Sequence, residues 1–216
     1  MIKLMLMVGQ KLGLSQPNVI TTILETWHWI RRRYGPPSPS FIKRAVLVRN
    51  GLSDCTWVET GTYRGTTTRE LAKHASRVIS IEPDPVLCAK ARVKLRQLDN
   101  VTIFHGLSEE ILPEILSTIE GNVCFWLDGH FSGGVTFKGP QDTPVREELS
   151  VIARFISRFD NVVVLVDDIR MFEQGDYTLA YPPVELLVEW ANSNHLKWKI
   201  EHDIFVASNE VPKRRV

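Results

Sequence analysis

Cysteine is scarce in this chain of 216 residues: there are three, Cys55, Cys88 and Cys124, and no Cys-x-x-Cys pair. An odd count without paired spacing excludes a disulfide framework and a zinc knuckle, and each thiol lies in an apolar stretch where it reads as a small buried hydrophobe. That usage fits a reducing, cytoplasmic compartment. No run of about 18 apolar residues occurs, so no transmembrane helix is expected. The opening stretch, residues 1–14, has lysine and a short apolar run but no small-residue cleavage site, and it does not read as a signal peptide. A charge surplus is also missing, with 26 Lys and Arg against 25 Asp and Glu. Nucleic-acid binders usually carry a basic excess, so the balance predicts no nucleic-acid partner. Two dinucleotide-enzyme signatures are absent as well, Gly-x-Gly-x-x-Gly and Tyr-x-x-x-Lys. An NAD-dependent oxidoreductase is therefore the weakest of the enzyme alternatives.

What is present is an ordinary globular balance, 44% hydrophobic and 24% charged residues. The pattern divides the chain into an N-terminal helical extension, 1–50, and a main domain, 51–216. The extension holds helical patterns over Met1–Leu12, Pro17–Arg33 and Ser40–Asn50, broken by the turn cluster 35–40. Val19, Ile20, Ile23, Leu24, Trp27 and Ile30 recur at helical spacing and form an apolar face that calls for a cover. The sheet edge or a second copy of the chain would supply it, so a homo-oligomer through these helices is an expectation. Arg31, Arg32 and Arg33 follow at the helix end, where cations suit the macrodipole.

From Thr56 short apolar strands alternate with helices: TWVET, RVISIE, VTIFHG, VCFWLD and NVVVLVDD are separated by helical stretches. Pro183–Asn194 is a further helix, and KWKIEHDIFVAS a bent or paired strand segment. Near-continuous apolar strands between helices predict an α/β fold, a parallel sheet covered on both faces.

The first strand ends in Glu59-Thr60-Gly61-Thr62-Tyr63-Arg64-Gly65. Gly61 and Gly65 allow a tight turn and a close approach of ligand to main chain. The following helix offers free N–H groups. In an open α/β sheet, ligands bind at this carboxyl edge. Glu59 just before the glycines would repel a diphosphate and attract a cation, which favours a sulfonium or amino-acid ligand. Glu82 closes the second strand, where an acid can accept both hydroxyls of a ribose.

The ordered run ETGTYRGTTT, VISIEPD, VTIFHGLSEEIL, FWLDGH and VVLVDD resembles class I S-adenosylmethionine-dependent methyltransferases over roughly residues 56–208. The resemblance implies a Rossmann-like three-layer sandwich whose seven-stranded, mostly parallel sheet has an antiparallel last strand. It implies that Glu59, Gly61, Thr62, Tyr63 and Gly65 line the methionine part of the cofactor, that Glu82 takes the ribose hydroxyls, and that Gly106, Leu107 and Ser108 edge the adenine. Ser108 stands where many members of the family carry Asp.

Asp128 follows the fourth strand, and Asp167 and Asp168 follow the fifth. This set resembles the metal-dependent O-methyltransferase subgroup of catechol and macrolide-sugar type. It implies Asp128, Asp167 and Asp168 as ligands of Mg2+, and transfer to a hydroxyl of a small molecule or sugar. Asp128 is thus a candidate for cofactor, metal and catalytic roles together. The alternatives are that Asp128 caps a loop or holds the cofactor amine and that Asp168 caps a turn. The catechol pattern has Lys where this chain has Phe131. His130 is the natural general base, with a structural histidine as the alternative. The glycine-rich segment 131–144 reads as an acceptor-binding lid, and Arg170–Tyr181 as a second wall. A methyltransferase-like fold serving as a non-catalytic binding module is the alternative from outside enzymology.

Overall fold

The computed structural model describes residues 16–128, 143–173 and 181–209. In chain order the elements are α1 (Gln16–Arg31), α2 (Ser40–Asn50), β1 (Cys55–Thr60), α3 (Thr66–Leu71), β2 (Arg77–Glu82), α4 (Pro85–Leu95), β3 (Val101–His105) and α5 (Ser108–Ser117). These are followed by β4 (Gly121–Leu127), α6 (Val145–Phe155), β5 (Phe159–Val166), the short α7 (Arg170–Glu173), α8 (Val184–Ser193), β6 (Lys197–Glu201) and β7 (Ile204–Ser208).

The seven strands form one sheet in the order β3-β2-β1-β4-β5-β7-β6. Strands β1 to β5 pair in parallel, and β7 runs antiparallel between β5 and β6. The predicted fold class therefore holds, and the bent C-terminal segment is a hairpin closing at His202 and Asp203. The strand order reverses between β1 and β4, so a crevice opens at their carboxyl ends.

Side-chain alternation along the strands fills both faces of the sheet. Val58, Ile79, Ile81, Phe125 and Val164 bury against Leu112 and Leu116 of α5, Leu149 and Ile152 of α6, and Leu187 of α8. Trp57, Val78, Cys124, Trp126 and Leu165 bury on the other face against Val46 and Leu47 of α2 and Leu71 of α3. Each such side chain contributes about 1.5–3 kcal/mol of burial. The cysteines behave as small core residues: all three are buried free thiols.

Within the single chain, the sheet edge leaves much of the apolar face of α1 uncovered. Val19 is buried, but Ile20, Leu24, Trp27 and Ile30 stand out near half exposure. Its attachment is thin: α1 packs mainly against α2, and Trp29 meets His202 of the β6–β7 turn edge-on with ring centroids 6.0 Å apart. The expected Met1–Leu12 helix lies outside the described residues. Among those residues, no helix is long and apolar enough to cross a membrane.

Candidate active site

The turn after β1 is the first wall of the crevice. Gly61 (φ 87°) and Gly65 (φ 64°) both adopt left-handed conformations. At Gly65 a Cβ would lie 2.7 Å from Leu95 Cδ1, so α4 packs against the turn from below. Tyr63 is also left-handed at φ 48°, and its N–H donates to Glu82 Oε2 at 2.6 Å. Asp84 N donates to Glu82 Oε1 at 3.0 Å. One buried carboxylate thus ties the β1–α3 turn to the β2–α4 turn. Burial raises the Glu82 carboxyl, and the two backbone donors oppose that rise. Each oxygen keeps a second lone pair with which to accept a ligand hydroxyl.

Glu59 lies beneath the same turn, fully buried. Its Oε2 accepts from Thr68 Oγ1 at 2.5 Å and Ser80 Oγ at 2.6 Å. Because Ser80 has one proton and donates it to Glu59, the 2.5 Å contact between Thr62 and Ser80 has Thr62 as donor. Glu59 Oε1 has no partner among the described residues. Burial pushes this carboxyl up to about 7, against the pull of the Ser80 and Thr68 hydroxyls. A cationic ligand group nearby would favour its ionised form.

At the third wall Gly106 has φ 146°, and its N–H donates to Glu82 O at 3.1 Å. Leu107 caps α5, and Ser108 is buried at the first helical position. Behind Ser108 sits Glu148 of α6, which the sequence reading did not single out. It is fully buried, and burial pushes it to about 7 while the Ser108 and Thr60 hydroxyls oppose the shift. It lies in the first turn of α6 beside Glu147, and the sequence there carries no local sign that Glu148 is the one turned inward.

The acidic set after β4 and β5 differs from the expected arrangement. Lys43 of α2 places Nζ 2.7 Å from Asp167 Oδ2 and 2.6 Å from Asp168 Oδ1. Arg170 Nη1 lies 2.7 Å from Asp168 Oδ1 and also pairs with Asp203. Burial alone would lower the Lys43 ammonium, but the adjacent Asp167 and Asp168 carboxylates outweigh it and hold it protonated. Burial raises Asp167 and Asp168 adds to that, while Lys43 pulls it back. The predicted Mg2+ site at Asp128, Asp167 and Asp168 is thereby corrected. An ammonium already bridges two of the three carboxylates, and no group of three or more metal-binding side chains is assembled among the described residues. These residues do not fit the ion. Lys43 was missed because it reads as one of several cations on α2. The signal was its register: Lys43, Val46, Leu47 and Asn50 share one helix face, and the other three are buried.

Beside this network lies a cavity of about 550 Å3. Asp128, Asp167, Trp126 and Thr67 form its inner side, and α1, α2 and the turn between them form its outer side. Asp128 is half-buried there, with its N–H donating to Thr60 O at 3.2 Å. Trp126 Nε1 is buried without a partner among the described residues. His130 and most of the expected lid lie outside the described residues, as does most of the second wall.

No protein-family model matches the chain. Among curated proteins it is 46% identical over 76 residues to ribosomal RNA small subunit methyltransferase A of Koribacter versatilis (strain Ellin345), a match covering 35% of this chain and 26% of that protein. The chain thus spans about a quarter of the length of the curated relative it matches. Among solved structures it resembles the N-methyltransferase NodS from Bradyrhizobium japonicum WM9, with TM-score 0.53, 13% identity, and coverage of 80% of this chain and 96% of the other. It also resembles precorrin-6y C5,15-methyltransferase from Geobacter metallireducens GS-15, with TM-score 0.51, 14% identity, and coverage of 82% and 90%. The fold is that of the class I S-adenosylmethionine-dependent methyltransferases. The specific likeness to metal-dependent O-methyltransferases gains no support from these relatives. The exclusion of nucleic acid, drawn from an even charge balance, is overturned by the match to a protein named for ribosomal RNA. Overall charge is a sum and does not reveal a local basic surface.

Proposed function

We propose that the chain transfers a methyl group from S-adenosylmethionine to an acceptor held in the cavity between α1, α2 and the carboxyl ends of β4 and β5. The observation that carries this reading is the linkage of the two turns flanking the crevice through Glu82, beside a buried Glu59 with one unpartnered oxygen. That pairing suits a ligand with ribose hydroxyls at one end and a cationic amino-acid portion at the other. Gly61, Thr62, Tyr63 and Gly65 would lie along the methionine part, Glu82 against the ribose, and Gly106, Leu107 and Ser108 around the adenine. When bound, the cofactor supplies an electrophilic methyl carried on a sulfonium. The chain's own contribution is placement, since in-line displacement rewards alignment above other effects. Asp128 stands at the junction of cofactor crevice and acceptor cavity.

The finer reading is a hydroxyl acceptor on a small molecule or sugar, with His130 taking the proton as the oxygen–carbon bond forms. A second reading, an RNA acceptor, is favoured by the 46% identity to the ribosomal RNA enzyme over 76 residues. Calorimetric titration with S-adenosylmethionine, S-adenosylhomocysteine and NAD+ tests the cofactor. Transfer of labelled methyl to ribosomal RNA, compared with a panel of hydroxylated small molecules and sugars, separates the acceptors. Cofactor binding without transfer to either would leave the non-catalytic binding module.

A further inference from the structure

Charge is even over the whole chain but not along it. The first 50 residues carry eight Lys and Arg and one acid, Glu25; the remainder carries 18 Lys and Arg against 24 Asp and Glu. In the described part of this basic segment, Lys43 and Arg49 are spent on internal ion pairs, to Asp167 and Asp168 and to Glu201. Arg31, Arg32 and Arg33 remain exposed at the end of α1. Arg31 stacks over Trp27, 4.6 Å from the ring centroid, and Arg32 donates to Pro37 O. Glu25 is turned inward and caps α2 through Ser40 N and Oγ, each at 2.9 Å. The C-terminal end of α1 therefore carries a local cluster of three cations with no acid left free beside it.

The same helix exposes an apolar stripe. Ile20, Leu24, Trp27 and Ile30 are 48–52% exposed, and Tyr34 beyond them is 63% exposed. Their spacing places the four helical residues on neighbouring turns of one side. An exposed aliphatic and aromatic stripe beside a cluster of arginines is the pattern of a helix lying in a lipid interface. Two other occupants fit less well. Phosphates of a nucleic acid would match the arginines but would gain little from Ile20, Leu24 and Ile30. A symmetric contact with a second copy would cover the stripe but give the arginines no acid to pair with, since α1 has none in its first turn and Glu25 is already engaged by Ser40.

We propose that α1 docks this protein on an anionic membrane surface, with Ile20, Leu24, Trp27 and Ile30 entering the headgroup region and Arg31, Arg32 and Arg33 pairing with anionic lipid. Leu24 and Arg32 also line the acceptor cavity, so docking brings the cavity mouth to the lipid surface.

Flotation of the full chain with vesicles tests this. The protein is expected to float with mixed phosphatidylcholine–phosphatidylglycerol vesicles, to stay behind with phosphatidylcholine alone, and to be released by salt. Replacing Arg31, Arg32 and Arg33 together with Gln is expected to weaken partitioning on the order of a hundredfold, roughly fivefold for each cation. Trp27→Glu and, separately, Ile20→Glu are expected to abolish flotation while circular dichroism and affinity for S-adenosylhomocysteine stay unchanged. No flotation with the mixed vesicles overturns the proposal, as does equal flotation with neutral ones. So does a vesicle-free dimer that Trp27→Glu dissociates in place of any lipid binding. Retention of duplex RNA that is lost in the arginine variant and kept in Trp27→Glu, with no vesicle binding, overturns it in favour of nucleic acid.

Discussion

Lys43 on the second helix and Asp167 at the end of the fifth strand, 124 positions apart, meet at 2.7 Å and fasten the N-terminal helices to the carboxyl edge of the sheet. Asp168 completes the clasp at 2.6 Å. Removing one partner of such a largely buried pair leaves the other charge uncompensated. Lys43→Met is expected to destabilise the protein by about 3 kcal/mol, read from chemical denaturation. The wild-type melting temperature is expected to be indifferent to Mg2+ and to EDTA, because the ammonium holds the carboxylates a metal would need. A melting curve that rises with Mg2+ and falls back with EDTA would show a cation site that this clasp does not block.

Two buried carboxylates give stability a pH dependence of definite sign. Glu59 and Glu148 are both raised by burial to about 7 from an ordinary value of 4.5. A raised acid binds its proton more tightly in the folded state, so its stabilising contribution is complete below about pH 4.5 and lost as pH rises through about 7. Glu148→Gln keeps the shape without the charge. It is expected to flatten the decline between pH 5 and 8 and to gain up to about 3 kcal/mol at the upper end. Denaturant midpoints across that range check this, and a variant whose slope matches wild type would remove Glu148 as a source.

Gly65 joins a left-handed backbone to a close approach, so Gly65→Ala carries two separable penalties. Left-handed strain costs about 1–2 kcal/mol, and the clash with Leu95 adds to it. Placing the same change in a Leu95→Ala background is expected to relieve the clash but not the strain. A double-mutant cycle reads the coupling; additive effects would show that Leu95 does not press on the turn.

The sheet was legible because its strands are apolar and β-branched while their connections are helical in period. RVISIE and the helix Ser40–Asn50 fall where the pattern places them. The insertion of β7 between β5 and β6 was not legible, since pairing order depends on contacts remote in sequence. The turn Gly61–Gly65 and Glu82 carry local signatures in the sequence, and the fold brings them together at one end of the sheet. The Lys43 clasp and buried Glu148 were not, because ionisable residues on helices default to solvent and only packing turns them inward. The acidic set at 128, 167 and 168 shows the converse: a family resemblance suggested a metal ion, and the fold supplied a cation to Asp167 and Asp168 from a lysine 124 positions before the first of them.

Titration of the intact protein with S-adenosylhomocysteine, against NAD+ and with Glu82→Ala alongside, tests the proposed cofactor most directly. Wild type should bind S-adenosylhomocysteine and not NAD+. Loss of a charged acceptor to hydroxyls, about 1.5–3 kcal/mol, should weaken the variant roughly 10–150-fold while its circular dichroism is retained. Absence of binding by wild type, or equal affinity in a folded Glu82→Ala protein, would contradict the assignment of this crevice to that cofactor.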